Sequence, residues 1–302
     1  MQMDDQNLRA RLQKHVEFLA AAPRVPGTVE HAQARDHIAG ALQQAGFKTR
    51  VESAREAGQA CLNVLTDPTP GDEDLPLVVI GAHYDSVPDS PGADDNASAV
   101  AALLELAAWL GPRLKTCGSC QARIPLAGYD LEEYGLLGSA RHSRLLRQAG
   151  TDLRGMISLE MLGFTDLRPG SQMMPVALRG MYPDVGDFIG VVGNEASAEL
   201  LHIVTSGLKS VPGLPVELIA VPGDGRLLGE TRLSDHSSFW DQGFHALMIT
   251  DTSFFRNPHY HKFSDTPDTL DFDFLARVTT GVCAAAWNLL GASGNADMRR
   301  LF

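Results

Sequence analysis

Apolar residues repeat along this chain in two alternating patterns, one helical and one extended. Helical spacing predicts α-helices over 7–22, 29–45, 96–110, 135–148, 195–209, 235–241 and 272–290. Short β-rich runs predict strands over 61–66, 77–82, 123–129, 154–160, 216–220 and 246–250. The run LVVIGA is continuously apolar, as a strand buried on both faces of a sheet is.

Strands that alternate with helices are typical of a layered α/β fold. We predict a three-layer sandwich in which a central mixed, mostly parallel sheet is flanked by helices. The chain of 302 residues is long enough to bury one large core, so we expect residues 1–302 to form a single domain. The stretch 164–194 is rich in Gly, Pro and Met and predicts loops with an extra strand on the same domain.

Composition and charge narrow the classes of partner. With 44% hydrophobic and 21% charged residues the composition is that of a soluble globular protein, and no apolar run approaches the about 20 residues of a membrane span. A net charge of −12 disfavours nucleic acid, which requires clustered Lys and Arg. The first residues lack the apolar segment of a signal peptide. We expect a cytoplasmic protein, or an exported one whose leader is already removed.

The four cysteines are too few for a disulfide framework in a chain of this length. Cys117 and Cys120 form a lone CxxC, and Cys61 and Cys283 lie far from it in sequence. Because a structural zinc site needs four ligands, we expect an incidental surface pair or a local disulfide at this motif.

Candidate metal-binding residues follow the predicted strands. His83 and Asp85 come directly after the buried strand 77–82, where ligand sites of open α/β sheets lie. An imidazole binds a metal through one nitrogen while a carboxylate fixes the proton on the other. Asp94 and Asp95 follow in a turn before a helix, where N-capping is the alternative to metal binding. Asp95 has the charge and the reach to bridge two cations.

Three later segments add candidate ligands. Glu132 and Glu133 are adjacent at a strand end, where two carboxylates repel each other unless a cation or a proton separates them. One of them would serve a metal and the other proton transfer. Glu160 ends an apolar strand, and His259 and His261 share a loop in which spacing does not choose between them. This combination of His, Asp and Glu suits two zinc ions with nitrogen and oxygen ligands.

These residues fall within an ordered set of motifs, which read GAHYDS, GADDNASA, EEYGLLGS, LEMLG, SDHSSFW and YHKFSDTPDTL. The set resembles the di-zinc aminopeptidase family of peptidase clan MH, which includes leucyl aminopeptidases and, more distantly, glutamate carboxypeptidase and glutaminyl cyclases. The resemblance covers about 27–290 and implies a zinc exopeptidase-like fold, two Zn²⁺ per chain and peptide substrates with a free N-terminus. We expect the segment 164–232 to shape the specificity pocket.

The resemblance implies a ligand set for the two metals. Asp95 would bridge them. Glu133 and His261 would complete one site, and His83 and Glu160 the other. The family commonly has Asp where this chain has Glu160, so the ligand is longer here by one methylene and metal spacing or preference is expected to differ.

The resemblance also implies roles beside the metals. Glu132 matches the general base of the reaction, and Asp85 matches the carboxylate that orients His83. Tyr260 matches the residue that stabilises the oxyanion. The peptide bond between 95 and 96 is expected to be cis.

Several histidines and one arginine are weaker candidates. His236 and Arg256 are candidates for substrate contact, with a structural histidine and a loop-anchoring ion pair as the alternatives. His259 becomes a neighbouring loop residue once His261 is taken as the ligand. His31 and His37, on a predicted amphipathic helix, are expected at the surface.

The sequence therefore predicts an aminopeptidase, which hydrolyses the N-terminal peptide bond with two zinc ions, a bridging water and Glu132 as general base. The alternatives are a single-zinc acyltransferase like glutaminyl cyclase, and carboxypeptidase or dipeptidase specificity on the same fold. A relative without catalysis would usually lose ligands, and all five candidates are present. A serine hydrolase is disfavoured because the chain has no GxSxG motif.

Overall fold

The computed structural model describes residues 5–69, 71, 73–115 and 119–291, so Cys117 of the CxxC motif lies outside the described residues. The α-helices within these ranges are α1 (Asp5–Leu19), α2 (Val29–Gln44), α3 (Ala99–Leu114), α4 (Leu137–Gln148), α5 (Ala198–Lys209), α6 (His236–Asp241) and α7 (Phe272–Leu290). The strands are β1 (Thr49–Glu56), β2 (Gln59–Thr66), β3 (Leu77–His83), β4 (Leu126–Tyr129), β5 (Leu153–Glu160), β6 (Ile189–Asn194), β7 (Val216–Val221) and β8 (Ala246–Thr250).

The strands form one sheet in the order β1-β2-β4-β3-β5-β8-β6-β7. The central strands β4, β3, β5 and β8 run parallel to one another, as do β6 and β7. The pairs β1–β2, β2–β4 and β6–β8 are antiparallel. The predicted mixed, mostly parallel sheet is confirmed, and the carboxyl ends of its central strands meet at one edge, where ligands bind in such sheets.

Helices cover both faces of this sheet. The larger apolar cluster joins the sheet to α1, α2, α3, α5 and α7 on one face. A smaller cluster on the other face contains Phe239 and Trp240 of α6, and Leu146 of α4 packs against it. The predicted three-layer sandwich is therefore confirmed.

Strand β1 is not predicted by the hydrophobic pattern, for a physical reason. Its sequence TRVESARE is charged at four of eight positions, and its apolar Val51 is 43% exposed. It lies at the edge of the sheet, where charged side chains discourage pairing with other molecules. Strand β6, in contrast, is the extra strand that the sequence predicts within 164–194.

The turn and helix Ala93–Leu114 are together long and apolar enough to cross a membrane. However, 72% of that apolar window is buried inside the protein. Leu103 and Leu106 of this helix have no exposed surface and belong to the larger apolar cluster. Its composition is thus explained by its place between the sheet and the outer helices.

His31 corrects a sequence expectation, because it is buried rather than at the surface. Its Nε2 lies 2.8 Å from Oδ1 of Asp130, a residue just beyond β4. That partner is 99 positions away in sequence, so helical periodicity cannot reveal it. His37 is half-buried, with its ring stacked on Phe18 at 4.3 Å.

Candidate metal centre

The five predicted metal ligands converge at the carboxyl edge of the sheet. His83 is the last residue of β3 and Glu160 the last residue of β5, and these two strands are neighbours. Asp95 lies in the turn before α3, Glu133 follows β4, and His261 lies in the loop before α7. The strand ends therefore place two ligands, and three connecting segments supply the others.

The potential ligand atoms form two groups. His83, Glu132 and Glu160 offer atoms that all lie within 4.8 Å of one another, and Asp95, Glu133 and His261 form a second such group. The side chain of Asp95 lies between them. Its Oδ1 is 3.3 Å from Nε2 of His83, and its Oδ2 is 3.1 Å from Nε2 of His261. Each carboxylate oxygen of Asp95 thus faces a different histidine.

The spacing between these atoms fits zinc. Two atoms that each lie about 2.0–2.1 Å from a tetrahedral zinc are roughly 3.3 Å apart. Besides the two contacts of Asp95, Nε2 of His83 is 3.5 Å from Oε2 of Glu160, and Nε2 of His261 is 3.1 Å from Oε2 of Glu133. The remaining carboxylate, Glu132, is farther from His83, at 3.9 Å.

Unpartnered atoms and charge support the same fit. Oε1 of Glu133 is buried and makes no hydrogen bond with a described residue. The buried Nε2 of His261 lies 3.1 Å from oxygens of Asp95 and Glu133 without hydrogen-bond geometry to either. Burial raises the pKa of Glu160 and raises that of Glu132 well above its usual range, against the opposing effect of His83. Burial and the Asp95 carboxylate raise the pKa of Glu133 to about 7. A buried group of carboxylates of this kind is stabilised by a cation.

Asp85 organises this site in two ways. Nδ1 of His83 lies 3.2 Å from the backbone oxygen of Asp85 and 3.6 Å from its Oδ1, so the backbone makes the shorter contact. The Asp85 carboxylate accepts hydrogen bonds from the backbone N–H groups of Glu132, at 3.1 Å, and Glu133, at 3.2 Å. The predicted partner of His83 therefore also holds the backbone of the two adjacent glutamates.

The turn that carries Asp95 is held by residues that sequence reasoning did not identify. The Asp265 carboxylate accepts hydrogen bonds from the backbone N–H groups of Asp94, at 2.9 Å, and Asp95, at 3.1 Å. Gly92 has φ of +64°, and a Cβ there would lie 2.1 Å from the Asp95 backbone oxygen. The Asp95–Asn96 peptide bond is cis, as the resemblance implies.

Arg24 also holds this turn, from a position 71 residues earlier in the chain. The arginine is only 1% exposed, and among the described residues its guanidinium donates hydrogen bonds to backbone oxygens alone. The acceptors are Leu19 (3.0 Å), Tyr84 (2.8 Å), Pro91 (2.5 Å), Gly92 (3.0 Å) and Asp95 (3.4 Å). Sequence alone could not reveal this role, because no charged partner or local motif marks Arg24.

A cavity adjoins the metal centre. Asp95, Glu132, Glu133 and Glu160 form part of its wall. The rest is lined mainly by residues 174–192 and 217–233, together with the loop around Phe254 and Tyr260. The ring of Tyr260 stacks on that of His261 with centroids 3.8 Å apart. Much of the segment 164–232 thus contributes to the wall of this cavity.

Arg256 and His236, the two weaker candidates for substrate contact, do not line the cavity. Arg256 is buried, its Nε donates to Oε1 of Gln172 at 2.8 Å, and its guanidinium lies 4.7 Å from the Phe188 ring centroid. His236 is buried, with Nε2 2.8 Å from the backbone oxygen of Thr231. The geometry favours the structural alternative for both residues, although the anchor of Arg256 is a neutral amide rather than an ion pair.

Known proteins with similar sequences include peptidases, in agreement with the geometry of the site. Residues 63–286 match the family model described as Peptidase family M28. The chain is 35% identical over 295 residues to "Uncharacterized protein YfbL" of Escherichia coli, covering 92% of this chain and 87% of that protein. It is 28% identical over 228 residues to a probable leucine aminopeptidase of Arthroderma otae, covering 70% of this chain and 53% of that protein. The chain thus spans about half the length of that relative.

Solved structures share the fold. The LapA aminopeptidase of Legionella pneumophila superposes with a TM-score of 0.69 at 19% identity, covering 96% of this chain and 76% of that one. A glutaminyl cyclase of Bacteroides thetaiotaomicron superposes with a TM-score of 0.65 at 21% identity, covering 95% of this chain and 99% of that one. At these identities the likeness establishes the architecture.

Proposed function

The chain belongs to peptidase family M28 and is a zinc peptidase, and from that premise we propose that it removes the N-terminal residue of peptides with two zinc ions. The single observation that carries the proposal is the placement of Asp95, whose two oxygens face His83 and His261 separately at 3.3 and 3.1 Å. A carboxylate so placed suits a bridge between two cations. The cation on the His83 side would also be bound by Glu160, and the cation on the His261 side by Glu133.

Two zinc ions held by these residues would supply a bound water of lowered pKa and would polarise the scissile carbonyl. The chain's own residues move the proton. Glu132 lines the cavity beside the metal ligands, and its side chain is 12% exposed, so a substrate can reach it. Glu132 accepts the proton of the attacking water and returns it to the leaving amine. The backbone N–H of Glu132 donates a hydrogen bond to the Asp85 carboxylate, which fixes the backbone from which this side chain extends.

Tyr260 is the proposed donor to the oxyanion. It lines the same cavity, and its stacking on His261 limits the motion of its ring. Burial raises the pKa of Tyr260 above its usual range, so the phenol stays protonated and able to donate. A donor positioned in advance stabilises the transition state more than the ground state.

The free N-terminus is the feature that would limit the enzyme to exopeptidase action. Asp95, Glu133 and Glu160 present carboxylates at the cavity end, and a protonated or metal-bound α-amino group fits among them. An acetylated N-terminus has neither the charge nor the lone pair for such contacts.

The test compares leucine amide with N-acetyl-leucine amide, with and without a strong chelator. We expect cleavage of the free amine alone, loss of activity with chelator and recovery with Zn²⁺. Equal cleavage of both substrates would refute the aminopeptidase assignment. A peptide with N-terminal glutamine serves as control for the rival, because a cyclase would convert it to pyroglutamate without releasing a residue.

A further inference from the structure

One transverse row of paired residues leads from the metal centre across the sheet to Glu217, which also lines the cavity. Glu160 of β5 pairs with Thr250 of β8, Thr250 pairs with Gly190 of β6, and Gly190 pairs with Glu217 of β7. Directly paired residues on neighbouring strands point to the same face of a sheet. The side chains of Glu160 and Glu217 therefore stand on one face, and both line the cavity.

The row spans the interval between these two carboxylates. Neighbouring strands lie about 4.8 Å apart, so three steps place the backbones of Glu160 and Glu217 about 14 Å apart. Gly190, which has no side chain, lies within this interval. A Cβ there would lie 3.2 Å from the Thr250 backbone oxygen and 3.6 Å from Cγ2 of Thr252, so Thr250 and Thr252 leave little room for a larger residue.

Apolar side chains form much of the cavity wall. The lining residues that share the cavity with the two carboxylates include Met174, Leu178, Tyr182, Phe188, Ile219 and Leu233. Such walls suit the methylene stem of a long side chain, which gains free energy as its apolar surface leaves water. The polar end of that side chain would then reach Glu217.

Glu217 offers a charge that nothing else among the described residues neutralises. It is half-buried at the cavity wall and takes part in no ion pair with a described lysine, arginine or histidine. Burial and then the Glu217 carboxylate raise the pKa of Tyr182, while the Tyr182 hydroxyl donates to the backbone oxygen of Leu218 at 3.1 Å. The nearest phenol is thus engaged elsewhere, and a cation from a ligand would stabilise the carboxylate.

We propose that Glu217 makes this peptidase prefer substrates with an N-terminal arginine or lysine. The inference rests on the proposed aminopeptidase function, since it requires the first residue to enter the cavity with its α-amino group at the metal centre. Five bonds of about 1.5 Å carry the Lys Nζ roughly 6 Å from its Cα, and the Glu217 carboxylate extends about 5 Å from its own Cα. With a hydrogen bond of about 3 Å these lengths together span the interval of about 14 Å, whereas the end of a leucine lies only about 3 Å from its Cα and falls short. Only the longer side chains bring a polar end near Glu217.

The assay measures kcat/KM for p-nitroanilides of arginine, lysine, norleucine and alanine. Norleucine has the length of lysine without its charge, so the arginine-to-norleucine and lysine-to-norleucine ratios isolate the contribution of charge. We expect Glu217→Gln to lower both ratios about 2- to 5-fold, as the loss of one partly exposed ion pair does, with alanine unchanged. Glu217→Lys should lower them further. Glu195→Gln, an equal charge change outside the cavity lining, should leave them unchanged.

Unchanged ratios in Glu217→Gln, or a wild-type preference for norleucine over lysine, would overturn the proposal.

A second assay measures binding in the same pocket without turnover. It compares the rise in melting temperature caused by free L-arginine with the rise caused by free L-norleucine. A loss of the arginine advantage in Glu217→Gln would support the proposal even if the peptidase assays failed. Equal protection by the two amino acids in wild type would overturn it. Failure of the proposed function, in which no aminoacyl substrate is cleaved, is thereby distinguished from failure of this inference.

Discussion

Shortening Glu160 by one methylene is expected to weaken metal binding, although the resemblance noted in the sequence implies that Asp is common at this position. Oε2 of Glu160 lies 3.5 Å from Nε2 of His83 and accepts a hydrogen bond from Ser234 Oγ at 2.8 Å. The backbone of Glu160 pairs with Thr250 of β8 at the end of a central strand. Because the strand is held between its neighbours, the backbone cannot advance to compensate for a shorter side chain.

The magnitude follows from bond lengths. Removing one methylene withdraws the carboxylate by about 1.5 Å, whereas a metal site tolerates ligand-distance errors of about 0.2 Å. The hydrogen bond from Ser234 would be stretched by a similar amount. We expect Glu160→Asp to weaken the metal site on the His83 side at least about 10- to 100-fold, which equals about 1.4–2.8 kcal/mol of binding free energy.

The assay is competition of each variant with a chromogenic chelator, which resolves the two metal affinities. Ser234→Ala is the matched control, because it removes the hydrogen bond and keeps the carboxylate within reach of the metal. It should lose less affinity than Glu160→Asp. Unchanged affinity at both sites in Glu160→Asp would refute the reasoning, since it would mean that Glu160 is not a ligand or that its strand end adapts freely.

Three further predictions concern other residues. Glu132→Gln should keep both metals and lose activity about 10²–10⁴-fold, whereas Glu133→Gln should lose metal affinity; equal metal content in the two would contradict the assigned roles. Arg24→Lys should lower the free energy of unfolding by about 2–4 kcal/mol in urea melts, because one ammonium cannot serve five backbone oxygens, and an unchanged midpoint would argue against that network. Burial lowers the pKa of His142 from 6.5 to about 4, so its contribution to stability is present above pH 6.5 and is lost as the pH falls towards 4. In urea melts between pH 7 and pH 5, the free energy of unfolding of the metal-free wild-type protein should fall by about 2 kcal/mol more than that of metal-free His142→Gln. Equal losses in the two proteins would contradict the lowered pKa of His142.

The sequence predicts the architecture because strands buried on both faces, such as β3, leave a continuous apolar run. It also places His83 and Glu160 at strand ends, where ligand sites of open α/β sheets lie, whereas their pairing in one metal site is implied by the resemblance alone. Those two inferences need only local patterns and one topological rule.

Other features depend on contacts that local patterns do not record. The Arg24 network joins segments about 70 residues apart, and His31 finds its partner 99 residues away. Strand β1 is missed since an edge strand buries little surface and can be charged along its length. The row from Glu160 to Glu217 exists only through the register of four strands, which no single segment specifies.

Zinc content is the measurement that tests the central claim most directly. Elemental analysis of the purified wild-type protein, calibrated by amino-acid analysis, should give two zinc ions per chain, and Glu132→Gln should give the same number. One tightly held zinc per chain, together with cyclisation of N-terminal glutamine as the best activity, would contradict a two-metal aminopeptidase and identify the chain as a cyclase of the same fold.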